Sequence, residues 1–127
     1  MTEKIKILVM DDEDIILDVA NKMLKLMNYD VHCTKDGKEA IDVYSKDLNN
    51  KPFDLVIMDL SIPGGLGAKE TIEKLLEIDD NVKAIVSSGK PNDDVMVNYE
   101  KYGFSGVIAK PFTFEELNIL IKKIISC

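Results

Sequence analysis

Residues 54–59 read Asp54-Leu55-Val56-Ile57-Met58-Asp59. Four consecutive apolar side chains between two acids are too few for a helix and show no polar face, so the run reads as a strand. A strand of this kind is covered on both faces, as in the interior of a parallel sheet. Ile5–Met10 is a second run of the same character, placed before it in the chain. Between the two, Ile15, Ile16, Val19, Ala20, Met23, Leu24 and Met27 recur at helical spacing. Val31–Thr34 follows as a short strand, a Lys35-Asp36-Gly37 turn closes it, and Lys38–Lys46 reads as a helix using Ala40, Ile41 and Tyr44.

The same alternation continues beyond Asp59. Pro63, Gly64, Gly65 and Gly67 make a permissive loop before a helix over Lys69–Ile78, and Val82–Ser87 is a fourth strand. Asp93–Tyr102 reads as one helix ended by Gly103 in the cap position. Val107–Ala109 is a short fifth strand. Thr113, with Glu116 three residues on, forms a capping box for a last helix running to the C-terminus. Five strands alternating with five helices predict an α/β fold, a (βα)5 three-layer sandwich around a parallel sheet. The right-handed crossover rule leaves few topologies, and the flavodoxin-like strand order 2-1-3-4-5 is the expected one.

Composition sets the outer limits. The 127 residues fit a single domain, expected to be 1–127, and 46% hydrophobic with 31% charged residues is a globular composition. No apolar stretch approaches the ~20 residues of a membrane span, and Met1–Met10 reads as a charged start and a strand, not a secretory signal. A net charge of −7 and the complete absence of arginine argue against nucleic-acid binding. Cys33 and Cys127 lack metal-ligand spacing, as befits an intracellular chain, and His32 reads as a structural or surface residue.

In a sheet of this order, ligands bind beyond the carboxyl ends of the strands. Those ends carry Asp11-Asp12, Asp59, Ser87 and Lys110-Pro111. Taken singly, each is a common turn or capping residue, and Asp14 reads as a helix cap. Together they make a specific chemical set. Crowded carboxylates repel unless a cation intervenes, and an all-oxygen ligand set selects a hard ion such as Mg2+. A carboxylate beside such an ion stays ionised and can attack phosphorus. Lys110 and the Ser87 hydroxyl would then hold the transferred oxygens.

These strand-end residues, with Pro63 four positions after Asp59 and the Lys110-Pro111-Phe112 run, resemble the receiver (response-regulator) family of two-component signalling over essentially the whole chain. The resemblance implies that Asp59 is the phosphoacceptor and that Ser87 and Lys110 contact the phosphoryl group. It also implies that Asp11, Asp12, Asp59 and the backbone carbonyl of Ser61 hold Mg2+, and that the Lys110–Pro111 peptide is cis. It further implies a cytoplasmic switch that is not an enzyme beyond its own phosphorylation and dephosphorylation, with a histidine kinase or histidine phosphotransfer protein as donor. Homodimerisation through the helix 4–strand 5–helix 5 face would suit the family. There Ile119 points away from the core face formed by Leu117, Leu120, Ile121 and Ile124, and Ile125 lies at its margin.

The sequence departs from the family in two places. Val107 stands where an aromatic residue usually couples strand 5 to the hydroxyl residue; Tyr99 and Tyr102 read first as helix packing, and as substitutes second. The loop Ser61-Ile62-Pro63-Gly64-Gly65-Leu66-Gly67 is rich in glycine, and Ser61 and Gly89 leave the positions that tune acyl-phosphate hydrolysis small. A degenerate receiver acting as a phosphorylation-independent binding module is the alternative, favoured by Val107 and opposed by the complete acidic and lysine set. Enzymes of similar architecture fit worse. A dehalogenase-type phosphatase would need an acid at Ser61, a flavodoxin would meet acids after strand 1, and no nucleotide phosphate loop is present. The Ser87-Ser88-Gly89 and Gly103–Phe112 stretches resemble receivers attached to hybrid sensor kinases.

Overall fold

The computed structural model describes residues 4–126. Its elements in chain order are β1 (Lys6–Met10), α1 (Asp14–Leu26), β2 (Asp30–Thr34), α2 (Gly37–Asp47), β3 (Leu55–Asp59) and α3 (Ala68–Ile78), followed by β4 (Ala84–Ser88), α4 (Asp94–Val97), α5 (Tyr99–Tyr102), β5 (Gly106–Ala109) and α6 (Phe114–Ile125). The sheet is parallel throughout, in the order β2-β1-β3-β4-β5. This is the expected three-layer architecture. The strand order reverses between β1 and β3, which opens a crevice at their carboxyl ends.

The period of two along each strand divides the core. Leu8, Met10, Val56, Met58, Ala84 and Val86 pack on one face with Ala40, Tyr44, Ile72 and Leu75 of α2 and α3. Ile7, Val9, Leu55, Ile57, Ile85 and Ile108 pack on the other with Leu17, Leu24, Leu117 and Ile121 of α1 and α6. Every residue of β3 is buried, so a Leu or Ile there stabilises the fold by about 1.5–3 kcal/mol. Such a fixed platform is what holds the strand ends in register.

Most elements begin or end where side-chain chemistry dictates. The Asp36 carboxylate accepts from the Glu39 N–H and starts α2 one residue earlier than the hydrophobic pattern indicates. Thr113 and Glu116 close the expected capping box on α6 at 3.1 and 2.9 Å. That helix ends at Ile125, and Cys127 lies outside the described residues. β4 starts two residues later than the apolar run and includes Ser88. On α1, Ile15 and Val19 face solvent, while Leu17 is buried in their place. Nor is Asp14 the cap of α1: Glu13 holds that position without a side-chain bond, and Asp14 pairs with Lys35 at 2.7 Å.

The expected helix over Asp93–Tyr102 is a single element in pattern only. Asn98 leaves helical geometry, with φ −111° and ψ 40°, and divides it into α4 and α5. Asparagine is a weak helix former whose amide competes with the backbone. Here that amide donates to Asp94 Oδ1 at 2.8 Å, and the Tyr102 hydroxyl donates to the other Asp94 oxygen. Gly103 then ends α5 with φ 101°, a conformation glycine adopts without cost.

Candidate functional site

Four of the five strands, β1, β3, β4 and β5, each deliver one polar group to the crevice. β1 hands over Asp11 directly after Met10, and the Asp11 N–H donates to the Thr34 carbonyl of β2 at 3.1 Å. Asp59 closes β3 and stands in register with Ser87 of β4. Lys110 follows β5, its N–H donating to the Ser88 carbonyl at 2.9 Å, and the Lys110–Pro111 peptide is cis as expected. Asp11, Asp59 and Ser87 are all buried. Residues separated by 99 positions therefore meet: Lys110 Nζ lies 2.6 Å from Asp11 Oδ2 and 3.3 Å from Asp59 Oδ1.

The charges do not balance. Two nearly buried carboxylates share one ammonium, and Asp12 and Glu13 lie just outside, exposed. Burial pushes the Asp59 carboxyl above its ordinary range; Lys110 pulls it down, Asp11 pushes it up, and the Ser61 N–H supports the ionised form. For Lys110, burial works against the charge, but the bond to Asp11 and the fields of Asp59 and Asp11 outweigh it and the ammonium is held more tightly than usual. Between them, the Ser87 hydroxyl is buried with no hydrogen-bond partner. An unpaired buried hydroxyl costs about 1–3 kcal/mol, so it favours any acceptor brought to the site.

The donor set fits a hard divalent cation. Carboxylate oxygens of Asp11, Asp12 and Glu13 lie within 4.8 Å of one another, and no nitrogen or sulfur ligand is among them. Asp59 joins this group through Lys110. The Ser61 side of the site is exposed, and a side chain at Gly89 would meet nothing within 4 Å. Beneath the acids a hollow of only ≈ 10 Å³ reaches Asp11, Asp59, Ser87 and Lys110. A larger concavity of ≈ 440 Å³ opens at the opposite end of the sheet, around Lys4, Asp30, Lys51 and Asp54. Lys6, which lines it, is already bound to Asp47 and to the Lys51 carbonyl, and Asp11, Asp59, Ser87 and Lys110 line the small hollow, not this one.

The family model described as the response regulator receiver domain matches residues 7–122, which span Asp11, Asp12, Asp59, Ser87 and Lys110. The chain belongs to the response regulator receiver domain family. Among curated proteins, this receiver domain is 30% identical over 118 residues to sporulation initiation phosphotransferase F of Bacillus subtilis, covering 93% of this chain and 91% of that protein. It is 28% identical over 120 residues to transcription factor SKN7 of Candida albicans, covering 94% of this chain but 21% of that longer protein. Among solved structures it superposes on the receiver domain of sensor histidine kinase PA1611 from Pseudomonas aeruginosa with a TM-score of 0.86 at 21% identity, covering 98% and 100% of the two chains. That structure is described as having a magnesium ion coordinated in its active-site cleft.

Asp11, Asp59, Ser87 and Lys110 are thus drawn together, with Asp12 at the mouth and Ser61 reaching Asp59 through its N–H. Sequence reasoning passed over Thr34, whose hydroxyl bonds the Val9 carbonyl at 2.9 Å while its own carbonyl holds the Asp11 N–H. Its position at the end of a weak edge strand gave no signal. Glu13 carried one, being adjacent to Asp11-Asp12, but its place beside them depends on the chain turning into α1. Among the described residues no helix is long and apolar enough to cross a membrane.

Proposed function

We propose that Asp59 accepts a phosphoryl group from a phosphohistidine on a histidine kinase or phosphotransfer protein, or from a small phosphodonor, and that the resulting acyl phosphate is a signal. An ionised Asp59 oxygen attacks phosphorus in line with the donor nitrogen, the P–N bond breaks with its electron pair going to nitrogen, and the imidazole leaves. Lys110, already within reach of Asp59, neutralises one phosphoryl oxygen. Ser87 donates its unpaired hydroxyl to another. Asp11, Asp12, Asp59 and the Ser61 carbonyl would hold Mg2+, which when bound supplies charge neutralisation and orientation. Hydrolysis returns Asp59 and inorganic phosphate, so the protein promotes only its own modification and is not an enzyme toward other substrates.

The observation that carries this reading is the single ammonium shared by Asp11 and Asp59 beside an unpartnered buried hydroxyl. A cytoplasmic location suits a kinase-fed switch, and the phosphotransferase named for the Bacillus relative supports a place in a phosphorelay. The half-buried Val107 and the exposed Ile119 support homodimerisation or target binding on the face made by α4, α5, β5 and α6. Incubation with Mg2+ and acetyl phosphate should add one phosphoryl mass to the wild type and none to Asp59→Asn. An unmodified wild type would sink the switch and leave the phosphorylation-independent binding module, which Val107 favours.

A further inference from the structure

We infer that residues 94–102 form a two-state helix, held broken by the contact of Tyr102 with Asp94, and that release of this latch reads out the state of Asp59; the inference rests on the function proposed above. The first argument is geometric. In a continuous α-helix, positions 94 and 102 are separated by roughly 12 Å along the axis and by roughly 80° around it. A tyrosine and an aspartate cannot bridge that span. The Tyr102–Asp94 bond therefore exists only because Asn98 breaks the helix. The Asn98–Asp94 contact is four residues long and is compatible with either form.

The second argument is that the sequence encodes the other state. Val95, Met96, Tyr99 and Tyr102 follow the spacing of one uninterrupted amphipathic helix. Val95 and Met96 are buried and both tyrosines pack against the same core, so the apolar face is already aligned across the break. Joining the two pieces would keep that face inward and would give up the Tyr102–Asp94 bond. Local pattern and observed geometry thus favour different states of one segment, as a switch requires.

The ends of the segment decide where motion goes. At the far end Gly103 lies close against α3, where a Cβ would come 2.7 Å from Leu76 Cδ1, and its φ of 101° excludes most residues. Lys69 of α3 also holds the Tyr102 ring, with Nζ 5.6 Å from its centroid. The near end is tied to the site by short local bonds. The Lys90 N–H donates to Ser88 Oγ, the Asp93 N–H to the Lys90 carbonyl, and the Asp93 carboxylate caps the Val95 N–H. With the far end close against α3, straightening must displace the Ser88–Asp93 stretch, and a shift of Ser87 toward a phosphoryl oxygen displaces the same stretch. The two motions are linked, and the linkage needs no aromatic residue at Val107.

The test uses the full chain, with Mg2+ and beryllofluoride as the phosphoryl mimic, and reads backbone chemical shifts of residues 94–102 together with mimic affinity. Wild type should give non-helical shifts at Asn98 without the mimic and helical ones with it. Tyr102→Phe, which removes the latch but touches no site residue, should move Asn98 toward helical values without the mimic and bind the mimic roughly two- to fivefold tighter. Asn98→Ala should act in the same direction if Tyr102→Phe folds poorly. Unchanged Asn98 shifts and unchanged affinity in the folded variants would overturn the latch. A wild type that binds no mimic would instead overturn phosphoryl acceptance; the mimic-free shift of Tyr102→Phe would still decide whether the latch exists.

Discussion

At each end of the sheet a half-buried lysine sits among oxygen atoms, Lys6 at one and Lys110 at the other, and the two settings differ. At the amino end of the strands, Lys6 Nζ lies 2.6 Å from Asp47, 2.7 Å from the Lys51 carbonyl and 4.2 Å from the Phe53 ring centroid. One charge meets one countercharge, a dipole and an aromatic face, and Asp47 keeps access to water. At the carboxyl end, Lys110 meets two carboxylates that are 4% and 8% exposed, next to a hydroxyl with no partner. The first arrangement is complete and serves the fold. The second is one positive charge short, and under the proposed function that shortage would favour a bound cation.

Removing each lysine should separate the two roles. Lys110→Met leaves two nearly buried acids without a countercharge, which costs about 3 kcal/mol or more in urea unfolding. Millimolar Mg2+ should restore a large part of it, since a ligand that binds only the folded state stabilises it. Lys6→Met should cost roughly half as much, because Asp47 can turn to solvent, and Mg2+ should restore none of the loss. Equal recovery of both variants by Mg2+ would erase the distinction drawn between the two ends.

A smaller effect of opposite sign belongs to the carboxyl end. The Asp59 carboxyl is raised in the folded chain, so ionising it costs more there than in the unfolded chain. That cost is absent well below its unfolded value of about 4, grows as pH rises through the folded value, and is complete at neutrality. Asp59→Asn should therefore raise Tm by a few degrees at pH 7 and by nothing near pH 3. A fall in Tm at pH 7 would mean that the bond to Lys110 outweighs burial and the repulsion of Asp11.

The contrast also explains what could be read in the sequence. Asp11, Asp59, Ser87 and Lys110 were legible because each directly follows or ends an apolar run, and the strand order forces those ends together. The break at Asn98 was not, because Val95, Met96, Tyr99 and Tyr102 satisfy a continuous helical pattern whether or not the backbone does. Ile15 and Val19 misled for a related reason: helical spacing identifies a helix, but which side of it packs depends on its neighbours. The lysine cluster at the amino end was illegible altogether. Lys6 lies on β1, Asp47 at the end of α2 and Phe53 in the loop before β3, and none belongs to a pattern until the sheet brings them together.

The smallest predicted effect tests whether the amino end is purely structural. Tyr44 is buried, stacks on Phe53 with ring centroids 6.1 Å apart, and donates its hydroxyl to Asp79 Oδ2 at 2.6 Å. Burial, then the bond to Asp79 and its charge, pushes the phenol far above its ordinary value. A raised value means that the stabilising contribution is whole below the unfolded phenol's pKa of about 10 and is lost as pH rises through the folded value. Tyr44→Phe should therefore cost about 1 kcal/mol at pH 7. Above pH 10 the wild type should lose stability faster than the variant, and the two curves should converge. Acetyl phosphate labelling of Asp59 should be the same in both proteins at pH 7. Slower labelling in the variant would join the two ends of the sheet energetically, and Lys6 and Lys110 would then belong to one coupled system.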